Sequence, residues 1–381
     1  MAIPPGSTPG IRSRRSPSSR PNEGFCERTS PYRIDSSGLP LSSTPTLTVA
    51  IPTYNGSRHL AEALSGILSQ EGVAFDLLVC DDRSDDGTVD LVRSIAGSRA
   101  RIVVNPQRLG LAGNWNCCVA LSQSTLVNIF HQDDVMRPGH LAAHLEAFAR
   151  STKTAMVASA VEMVDDRGQR LPESIVEGGG LAASDRVFGP GELLPQLAVK
   201  NPLRCSAITL RADAHRTLGG FDASYRYVVD WEFWVRVARV YEVAWLSRPT
   251  VAMRWHATSE THRFKKGTTD LEETERLVES VADPVGDYDF RGLRVAANRR
   301  LARAYLNRSH DALRAGDTRL ARRCLDRSFS LNPKIWTTIA ADPRLALQLG
   351  LLVVSPGLAG SLLARKDARS MWSTTDKDPH A

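Results

Sequence analysis

The segment Thr46–Asn55 has the sequence TLTVAIPTYN, and it decides the fold of this 381-residue chain. Its first seven residues, up to Pro52, are mostly β-branched or apolar, as in a buried strand, and the polar Thr-Tyr-Asn-Gly follows directly. Beyond that loop, Leu60, Leu64 and Ile67 recur at helical spacing and predict an amphipathic helix. A strand, a polar loop and a helix in this order predict the first half of a βαβ unit.

The same alternation continues along the chain. Further strands are predicted at residues 75–80, 101–104, 126–130, 154–164 and 206–211, with helices from 88, through 115–121 and from about 230. The expected fold class is therefore α/β, a Rossmann-like, mostly parallel sheet flanked by helices, over residues 46–262. Ligands of open α/β sheets bind beyond the carboxyl ends of the strands, so the polar loops that follow the strands are the expected site.

Composition changes on either side of this region. Residues 1–45 are rich in Ser, Pro, Gly and Arg, which predicts a disordered tail, and residues 366–381 are expected to form a second flexible tail. Residues 270–365 are rich in Arg, Ala and Leu at helical spacing and predict a small C-terminal α-helical region. Within it, residues 304–333 predict a helical hairpin similar to a single tetratricopeptide unit, with Gly316-Asp317 at the turn.

The overall composition narrows the classes of protein. Of the residues, 42% are hydrophobic and 24% charged, as in an ordinary globular chain, and the formal net charge of +6 suits anionic partners. Lys and Arg concentrate in the tail and the C-terminal helices without interleaved aromatic residues, which argues against nucleic-acid binding. The six cysteines lack CxxC spacing, and no run reaches the roughly 18 apolar residues of a membrane span, so a cytoplasmic protein is expected.

Acidic pairs follow two of the predicted strands. Asp81 and Asp82 end one strand and can accept a hydrogen bond from a nucleobase N–H, although a solvated turn that caps the next helix explains them equally well. Asp133 and Asp134 end another strand and offer hard oxygen ligands to Mn²⁺ or Mg²⁺, with capping of a helix before Pro138 as the alternative. A cation at this place would stabilise a leaving diphosphate.

A third acidic position opens the predicted helix near residue 230. Asp230, in the sequence Val229-Asp-Trp-Glu-Phe-Trp234, can act as a general base that removes a proton from an attacking hydroxyl. It is also a good helix N-cap, and the two roles are compatible. Glu232 is the rival base.

Several motifs, none decisive alone, occur in one order over residues 46–260. They are Val49–Asn55 (VAIPTYN), Ile67–Gln70 (ILSQ), Asp81-Asp82 with Asp86-Gly87-Thr88, Asp133-Asp134, Gly219–Asp222 (GGFD) and Asp230–Trp234 (DWEFW). In order and spacing they resemble family 2 of the glycosyltransferases. The resemblance covers more than half of the chain and implies a GT-A fold and sugar transfer from a nucleotide-sugar donor with inversion at the anomeric carbon.

The resemblance also implies roles for individual residues. Asp133 is expected near the ribose or diphosphate, Asp134 on the metal ion and Asp230 as the catalytic base. The residues expected around the nucleoside are Pro52, Thr53, Tyr54, Asn55 and Asp82.

Other residues near these motifs complete the expected site. Asn114 and Asn116 are expected to line the donor site, whereas Trp115 between them fits the core better. His256 lies where similar enzymes carry a histidine that approaches the metal or diphosphate, with a purely structural histidine as the alternative.

The chain departs from the family pattern at two positions. His131 stands where many relatives carry an acidic residue, and Val229 stands where many carry Glu, although Asp230 itself is kept. Asn201 and Arg204 are expected to contact the acceptor or the diphosphate, with a simple surface charge as the alternative for Arg204.

The expected activity is transfer of a sugar from a UDP- or dTDP-linked donor, with a GDP-linked donor as an alternative, to a hydroxyl of a glycan or lipid-linked saccharide. One other interpretation is a catalytically silent GT-A-like scaffold that binds partners through its helical region. Another is a nucleotidylyltransferase, but the first strand leads into Thr53–Gly56 and not into a glycine-rich phosphate loop. Peripheral contact with the anionic inner face of a membrane is expected from the basic residues Arg322, Arg323, Arg365, Lys366 and Arg369.

Overall fold

The computed structural model describes residues 46–172, 180–256, 259, 264, 267–281 and 290–354. The predicted tails, 1–45 and 366–381, lie outside the described residues. The strands are β1 (Leu47–Thr53), β2 (Asp76–Asp81), β3 (Ala100–Val104), β4 (Leu126–Ile129), β5 (Val135–Met136), β6 (Thr154–Val164), β7 (Arg186–Phe188), β8 (Ile208–Arg211) and β9 (Glu242–Arg254). They form one sheet in the order β3-β2-β1-β4-β8-β6-β9-β5, with β7 paired to β9.

Helices flank this sheet and then form a group of their own. Those between the strands are α1 (Ser57–Leu68), α2 (Thr88–Ala96), α3 (Gly110–Leu121), α4 (His140–Arg150), α5 (Leu194–Leu197), α6 (Ala212–Thr217) and α7 (Val229–Val240). Those that follow the last strand are α8 (Thr269–Val281), α9 (Phe290–Arg314), α10 (Thr318–Leu331), α11 (Trp336–Ala340) and α12 (Pro343–Val354).

The sheet is parallel in its first half and mixed in its second. β3, β2, β1 and β4 run parallel, as predicted for successive βαβ units. β8 lies antiparallel to both β4 and β6, and β5 and β7 lie antiparallel to β9. The predicted α/β class is confirmed. The antiparallel strands were not predicted, because hydrophobic periodicity carries no information on the direction of a strand.

Side chains of β1 alternate between two apolar cores. Leu47, Val49 and Ile51 are fully buried in the core that also contains Leu64 of α1. The side chain of Ala50 lies in the other core, among residues of α3 and α7. Each fully buried Leu or Ile contributes roughly 1.5–3 kcal/mol. Burial on both faces therefore holds the end of β1, and the polar loop after it, in a fixed place.

The C-terminal helices form a separate core. α9 and α10 are joined by a turn at Gly316, whose φ of 81° favours glycine, and the Asp317 carboxylate caps α10 by accepting from Leu320 N over 2.8 Å. The predicted helical hairpin is thus confirmed. None of the described helices combines the length and apolar composition that crossing a bilayer requires. The core of the hairpin includes Leu306, Leu313, Cys324 and Leu325.

The first helix after the sheet, α8, joins the two cores. Its Leu277 and Val281 are buried in the core that contains Trp234 of α7. At its other end, Asp270 and Arg308 of α9 form a buried ion pair, 2.7 Å between Oδ2 and Nη2. α8 is therefore fixed to both the α/β region and the helical hairpin.

Candidate active site

Polar loops gather at the edge where the parallel strands end. β1 and β2 finish side by side, because Pro52 pairs with Cys80 and Thr53 with Asp81. The Thr53 hydroxyl donates to the Asp81 carboxylate over 2.8 Å. β4 pairs with the other side of β1 and leads into the loop His131–Asp134. The loops that were predicted to form the site therefore lie at one edge of the sheet.

The loop after β1 is held by side chains from its neighbours. The amide of Gln132 accepts from Tyr54 N over 3.0 Å and donates to Tyr54 O over 3.1 Å. Asn55 has a positive φ of 46°, and its N–H donates to the Ser84 hydroxyl over 2.9 Å. A Cβ on Gly56 would lie 2.0 Å from Oε1 of Gln132, so a side chain there would displace the Gln132 amide from Tyr54. The loop is therefore prearranged.

An exposed cation covers this loop. The guanidinium carbon of Arg108 lies 3.6 Å from the ring centre of Tyr54. A cation–π contact at an exposed site is worth about 0.5–1 kcal/mol. The contact places a permanent positive charge beside the predicted nucleoside residues. Arg108 was missed in the sequence analysis, although its place in the polar loop after β3 was an available signal.

Asp82 caps a helix that lies far from it in sequence. Its Oδ1 accepts from Leu109 N over 2.7 Å and from Asn105 Nδ2 over 2.9 Å, and its Oδ2 accepts from Gly110 N over 2.8 Å. These backbone N–H groups open α3, where a carboxylate is favoured by the helix dipole. Contact between Asp82 and a nucleobase stays a prediction.

Asn114 supports the same arrangement from within α3. It is buried, its Nδ2 donates to Cys80 O over 3.0 Å, and its Oδ1 accepts from Asn105 over 2.9 Å. Direct contact of Asn114 with the donor stays a prediction. Asn116 instead holds the Gly-Gly-Phe-Asp motif, since its Oδ1 accepts from Phe221 N over 2.8 Å. Trp115 is buried in the core.

His131, Asp133 and Asp134 bring their ligand atoms to within 4.8 Å of one another. Asp134 is buried, with Oδ1 accepting from Arg254 N over 2.9 Å and Oδ2 accepting from the Ser206 hydroxyl over 2.5 Å. Burial, and then the charge of Asp133, raise the pKa of Asp134 to about 6. One imidazole and two carboxylates form a donor set that fits a divalent cation, which would relieve the repulsion between the carboxylates.

His256 lies just after β9 and contacts the cluster through Asp133. Its Nε2 is 2.9 Å from Oδ2 of Asp133. Burial raises the pKa of Asp133, but the hydrogen bond with His256 and the charges of His131 and His256 outweigh burial, so the pKa is lowered overall. The guanidinium of Arg254 donates to Asp133 O over 3.0 Å and fixes the loop. Direct metal binding by His256 stays a prediction.

Asp230 is the second residue of α7. Its Oδ1 accepts from Trp231 N over 2.6 Å, and its Oδ2 lies 3.4 Å from Nδ2 of Asn201. Burial raises the pKa of Asp230, and the Trp231 N–H and the charges of Arg204 and His131 offset this only in part. A carboxylate with a raised pKa is a stronger base.

The acidic cluster and Asp230 belong to one electrostatic neighbourhood. His131 lies close enough to Asp133, Asp134 and Asp230 to lower the pKa of each. The buried thiol of Cys205 likewise experiences the charges of both Asp230 and Asp134. Asn201, which lies 3.4 Å from Asp230, and Ser206, which donates to Asp134, belong to one short segment before β8, so the candidate base lies near the candidate cation ligands.

Glu232, the rival base, is engaged elsewhere. Its two oxygens accept from Nε and Nη2 of Arg236, each over 2.7 Å. The same guanidinium donates to Leu218 O over 2.5 Å and to Gly220 O over 2.6 Å. Glu232 thus fixes the Gly-Gly turn against α7, and the geometry favours Asp230 as the base.

Residues 48–198 match the model of Glycosyl transferase family 2. The chain carries a family 2 glycosyltransferase domain. This enzyme is 28% identical over 253 residues to an uncharacterized protein of Mycobacterium tuberculosis, a match that covers 65% of this chain and 79% of the relative. It is also 28% identical over 89 residues to the Escherichia coli UDP-Glc:alpha-D-GlcNAc-diphosphoundecaprenol beta-1,3-glucosyltransferase WfgD, covering 23% of this chain and 35% of WfgD.

Solved structures support the GT-A fold of this glycosyltransferase. TarS residues 1–349 from S. aureus, in complex with UDP-GlcNAc, match with a TM-score of 0.54 at 14% identity, covering 77% of this chain and 92% of that chain. The mannosyltransferase PcManGT from Pyrobaculum calidifontis, in complex with GDP-Man and Mn²⁺, matches with a TM-score of 0.52 at 16% identity, covering 87% and 89%. The predicted fold and the glycosyltransferase assignment are confirmed.

Some residues that hold the candidate site of this glycosyltransferase lie far from it in the chain and were not predicted from the sequence. Ser206 and Arg254 hold the acidic cluster although they lie 72 and 120 residues from Asp134. Gln132 was passed over beside a recognised motif. Nothing in the local pattern marks Ser206 or Arg254, because their importance arises only when β8 and β9 join the sheet.

Proposed function

We propose that this glycosyltransferase moves a sugar from a UDP- or dTDP-linked donor to a hydroxyl of a glycan or lipid-linked saccharide, with inversion and with a divalent cation. The observation that carries the proposal is geometric: from one short segment, 201–206, Asn201 contacts Asp230 and Ser206 donates to Asp134, so the candidate base lies near the converging ligand atoms of the acidic cluster. Transfer from a nucleotide sugar needs a group for the diphosphate and a base for the acceptor at one reacting centre. The acidic cluster is the candidate group for the diphosphate, through a bound cation, and Asp230 is the candidate base.

The donor side of the proposal is the edge formed by β1, β2 and β3. The nucleoside would contact Tyr54 and Asn55 above Pro52 and Thr53, with Arg108 supplying positive charge to the donor. Gln132 and Ser84 already hold the backbone of Tyr54 and Asn55, so little ordering is left for binding. Asp82 and Asn114 shape this side by fixing the start of α3.

The residues that would hold Mn²⁺ or Mg²⁺ are Asp134, Asp133 and His131, since their ligand atoms converge. A divalent cation supplies charge stabilisation to a leaving diphosphate. His256 would orient Asp133 from behind, as outer-shell partners of metal ligands do. Ser206 and the Arg254 backbone hold both oxygens of Asp134 and fix the direction of its carboxylate.

Asp230 would accept the proton of the attacking hydroxyl. Its raised pKa makes it a stronger base than an exposed aspartate. Asn201 lies 3.4 Å from one oxygen and orients the carboxylate, and the nearby charge of Arg204 favours the ionised form of Asp230. Inversion follows where the hydroxyl attacks the anomeric carbon on the side opposite the diphosphate.

A lipid-linked acceptor would require contact with a membrane surface. On α11 and α12, Trp336 is 59% exposed, Leu347 66% and Val354 83%, and the exposed Lys334 and Arg344 lie close to them in sequence. Exposed Trp and aliphatic residues beside basic side chains suit an anionic lipid interface. We propose that this surface contacts the inner membrane face. Of the predicted basic residues, Arg365, Lys366 and Arg369 lie outside the described residues.

Donor turnover tests the proposed function. UDP-glucose, UDP-N-acetylglucosamine, dTDP-glucose and GDP-mannose are each incubated with the enzyme, Mn²⁺ and a total lipid-linked saccharide extract, and nucleoside diphosphate release is measured. Release that stops with chelator, and a product whose anomeric proton shows inversion, would support the proposal. No release from any donor would favour the scaffold interpretation.

Sedimentation with phosphatidylglycerol vesicles tests the proposed lipid contact. Equal binding by the unchanged chain and by the double variant Trp336→Ala with Leu347→Ser would contradict that contact.

A further inference from the structure

The loop that precedes α7 is held by a carboxylate from the C-terminal helices. Glu273 of α8 accepts from Arg226 N over 2.9 and 3.0 Å, from Tyr227 N over 2.8 Å and from Val228 N over 3.3 Å. Glu273 is only 9% exposed, so these N–H groups take the place of water around its charge. Successive backbone N–H groups that converge in this way form an anion-binding nest, here filled from within the chain.

This nest lies where α7 begins. The helix starts at Val229, and Val228 occupies the N-cap position with a side chain that has no oxygen. The first N–H groups of a helix lack intrahelical partners, and the N-terminus carries a partial positive charge. Glu273 accepts from the N-cap residue and the two residues before it, and its negative charge lies beside the positive end of the helix. Asp230 is two residues after Val228, so its position depends on how this start is held.

A second side chain of α8, about one helical turn after Glu273, contacts the same loop. Nη2 of Arg276 donates to Ser224 O over 3.0 Å, and its guanidinium carbon lies 3.8 Å from the ring centre of Tyr225. Residues 273 and 276 fall on one helix face at i, i+3 spacing. α8 is itself anchored by Leu277 in the core and by the Asp270–Arg308 ion pair. The loop 224–228 is thus fixed to a rigid helix.

The geometry points to Glu273 as a positioning residue for Asp230: α8 orders the loop 224–228 and, through it, the first turn of α7 that carries the base. This inference rests on the role proposed for Asp230. It gives the C-terminal helices a part in the chemistry, since the helix that aligns the base belongs to them. Removing Glu273 would leave buried N–H groups without acceptors and release the start of α7.

Two variants and two controls test this inference. Glu273→Leu removes every acceptor, and Glu273→Gln keeps one oxygen. Arg276→Ala removes the second contact between α8 and the loop. Because Arg276 is exposed, this variant tests the loop even where Glu273→Leu fails to fold. Glu279→Gln is the matched control, because Glu279 is exposed on the same helix. Amide hydrogen exchange of residues 222–234, UDP binding with Mn²⁺, and kcat and KM for the donor are measured for each.

We expect faster exchange at residues 225–229 in both Glu273 variants and in Arg276→Ala, with the Glu279 control unchanged. Misplacing a catalytic group can cost on the order of 100-fold in rate, so kcat should fall by about that factor in Glu273→Leu and by less in Glu273→Gln. UDP affinity and donor KM should stay within about twofold, which a general loss of structure would not allow.

Unchanged exchange in both Glu273 variants would overturn the inference, because the loop would then not depend on Glu273. Faster exchange with unchanged kcat would also overturn it, because the order of the loop would then have no effect on the rate of the step that Asp230 is proposed to catalyse. If the unchanged enzyme turns over no donor, the proposed function fails and the positioning role fails with it, even where exchange shows that Glu273 orders the loop.

Discussion

The carboxylates on the two sides of the sheet edge differ in how far hydrogen bonds compensate for their burial. On the donor side, Asp82 accepts from two backbone N–H groups and one amide, and it anchors α3. The other side carries Asp134 and Asp230 and is called the reaction side here. Burial raises the pKa values of these two carboxyls, because their hydrogen bonds do not fully offset desolvation. A buried carboxylate whose desolvation is not offset by hydrogen bonds is stabilised when it binds a cation or takes up a proton from a substrate. Membership in a motif does not distinguish an anchor from a reactive group, but the local environment does.

The largest expected effect is on the reaction side. Asp230→Asn keeps the size of the side chain and removes the base, so kcat should fall on the order of 10²- to 10⁴-fold with UDP binding unchanged. Steady-state donor turnover measures this. Glu232→Gln is the matched control on the same helix. A larger loss in Glu232→Gln than in Asp230→Asn would exchange the roles of the two residues.

A third set of buried titratable groups, neutral histidines, extends the comparison. Burial lowers the pKa of His140 to about 3 and that of His144 well below its usual value, whereas both titrate near 6.5 in the unfolded chain. The unfolded chain therefore binds more protons below pH 6.5, and the free energy of unfolding falls as the pH is lowered from there. The slope should approach about 1.4 kcal/mol per pH unit for each histidine.

Urea unfolding between pH 7 and pH 5 measures this slope. His144→Gln should reduce it by no more than about a third, because burial lowers the pKa values of His140, His144 and His215 alike and only one of these protons is lost. His310→Gln in α9 is the control for the loss of a histidine outside the sheet region. A slope that does not change in His144→Gln would mean that other groups cause the acid sensitivity.

Stability should distinguish the two kinds of aspartate. Asp82→Ala leaves Leu109 N and Gly110 N without their acceptor and should lower the free energy of unfolding by about 1–3 kcal/mol. Asp134→Asn in metal-free buffer should cost less than this or stabilise the fold, because it removes a buried charge beside Asp133. Urea unfolding of both variants decides the matter. An equal loss in both would remove the distinction between anchor and reactive group.

The smallest expected effect concerns Arg108. Arg108→Ala removes an exposed positive charge beside Tyr54 and should weaken UDP binding by up to about fivefold, since an exposed charge pair is worth roughly 0.2–1 kcal/mol. Arg93→Ala is the control, because Arg93 is exposed on α2 and pairs with Asp90. Equal affinities for Arg108→Ala and the control would place the nucleotide away from Tyr54.

Local features of the fold could be predicted from the sequence, because their causes are local. The strand over 46–52, the apolar face of α1 and the turn at Gly316 each follow from periodicity or backbone freedom within a few residues. The bounds of β1 differ from the prediction by one residue at each end, whereas the first helix of the hairpin begins at Phe290, well before the predicted start at residue 304. Directions of β8, β5 and β7 could not be predicted in this way, since they depend on pairing between distant segments.

The candidate site was predictable only as a set of acidic positions. Asp134 and Asp230 were singled out from their place after a strand and before a helix. That Asp82 caps α3, 27 residues away at Leu109, depends on how β2 and β3 pair, and the sequence alone leaves capping and nucleotide binding equally open. The grip of Glu273 on Tyr227, 46 residues earlier, belongs to the same class of long-range contact.

Calorimetric titration with UDP, in Mn²⁺ and then in chelator, tests the central claim that the cation site and the base are separate parts of one reacting centre. The unchanged enzyme, Asp134→Ala and Asp230→Asn are compared. The account predicts Mn²⁺-dependent binding that is weakened in Asp134→Ala by at least the roughly 10- to 100-fold that loss of an outer-shell metal partner costs, and that is kept in Asp230→Asn. Binding that is independent of Mn²⁺, or equal in Asp134→Ala and the unchanged enzyme, would contradict it.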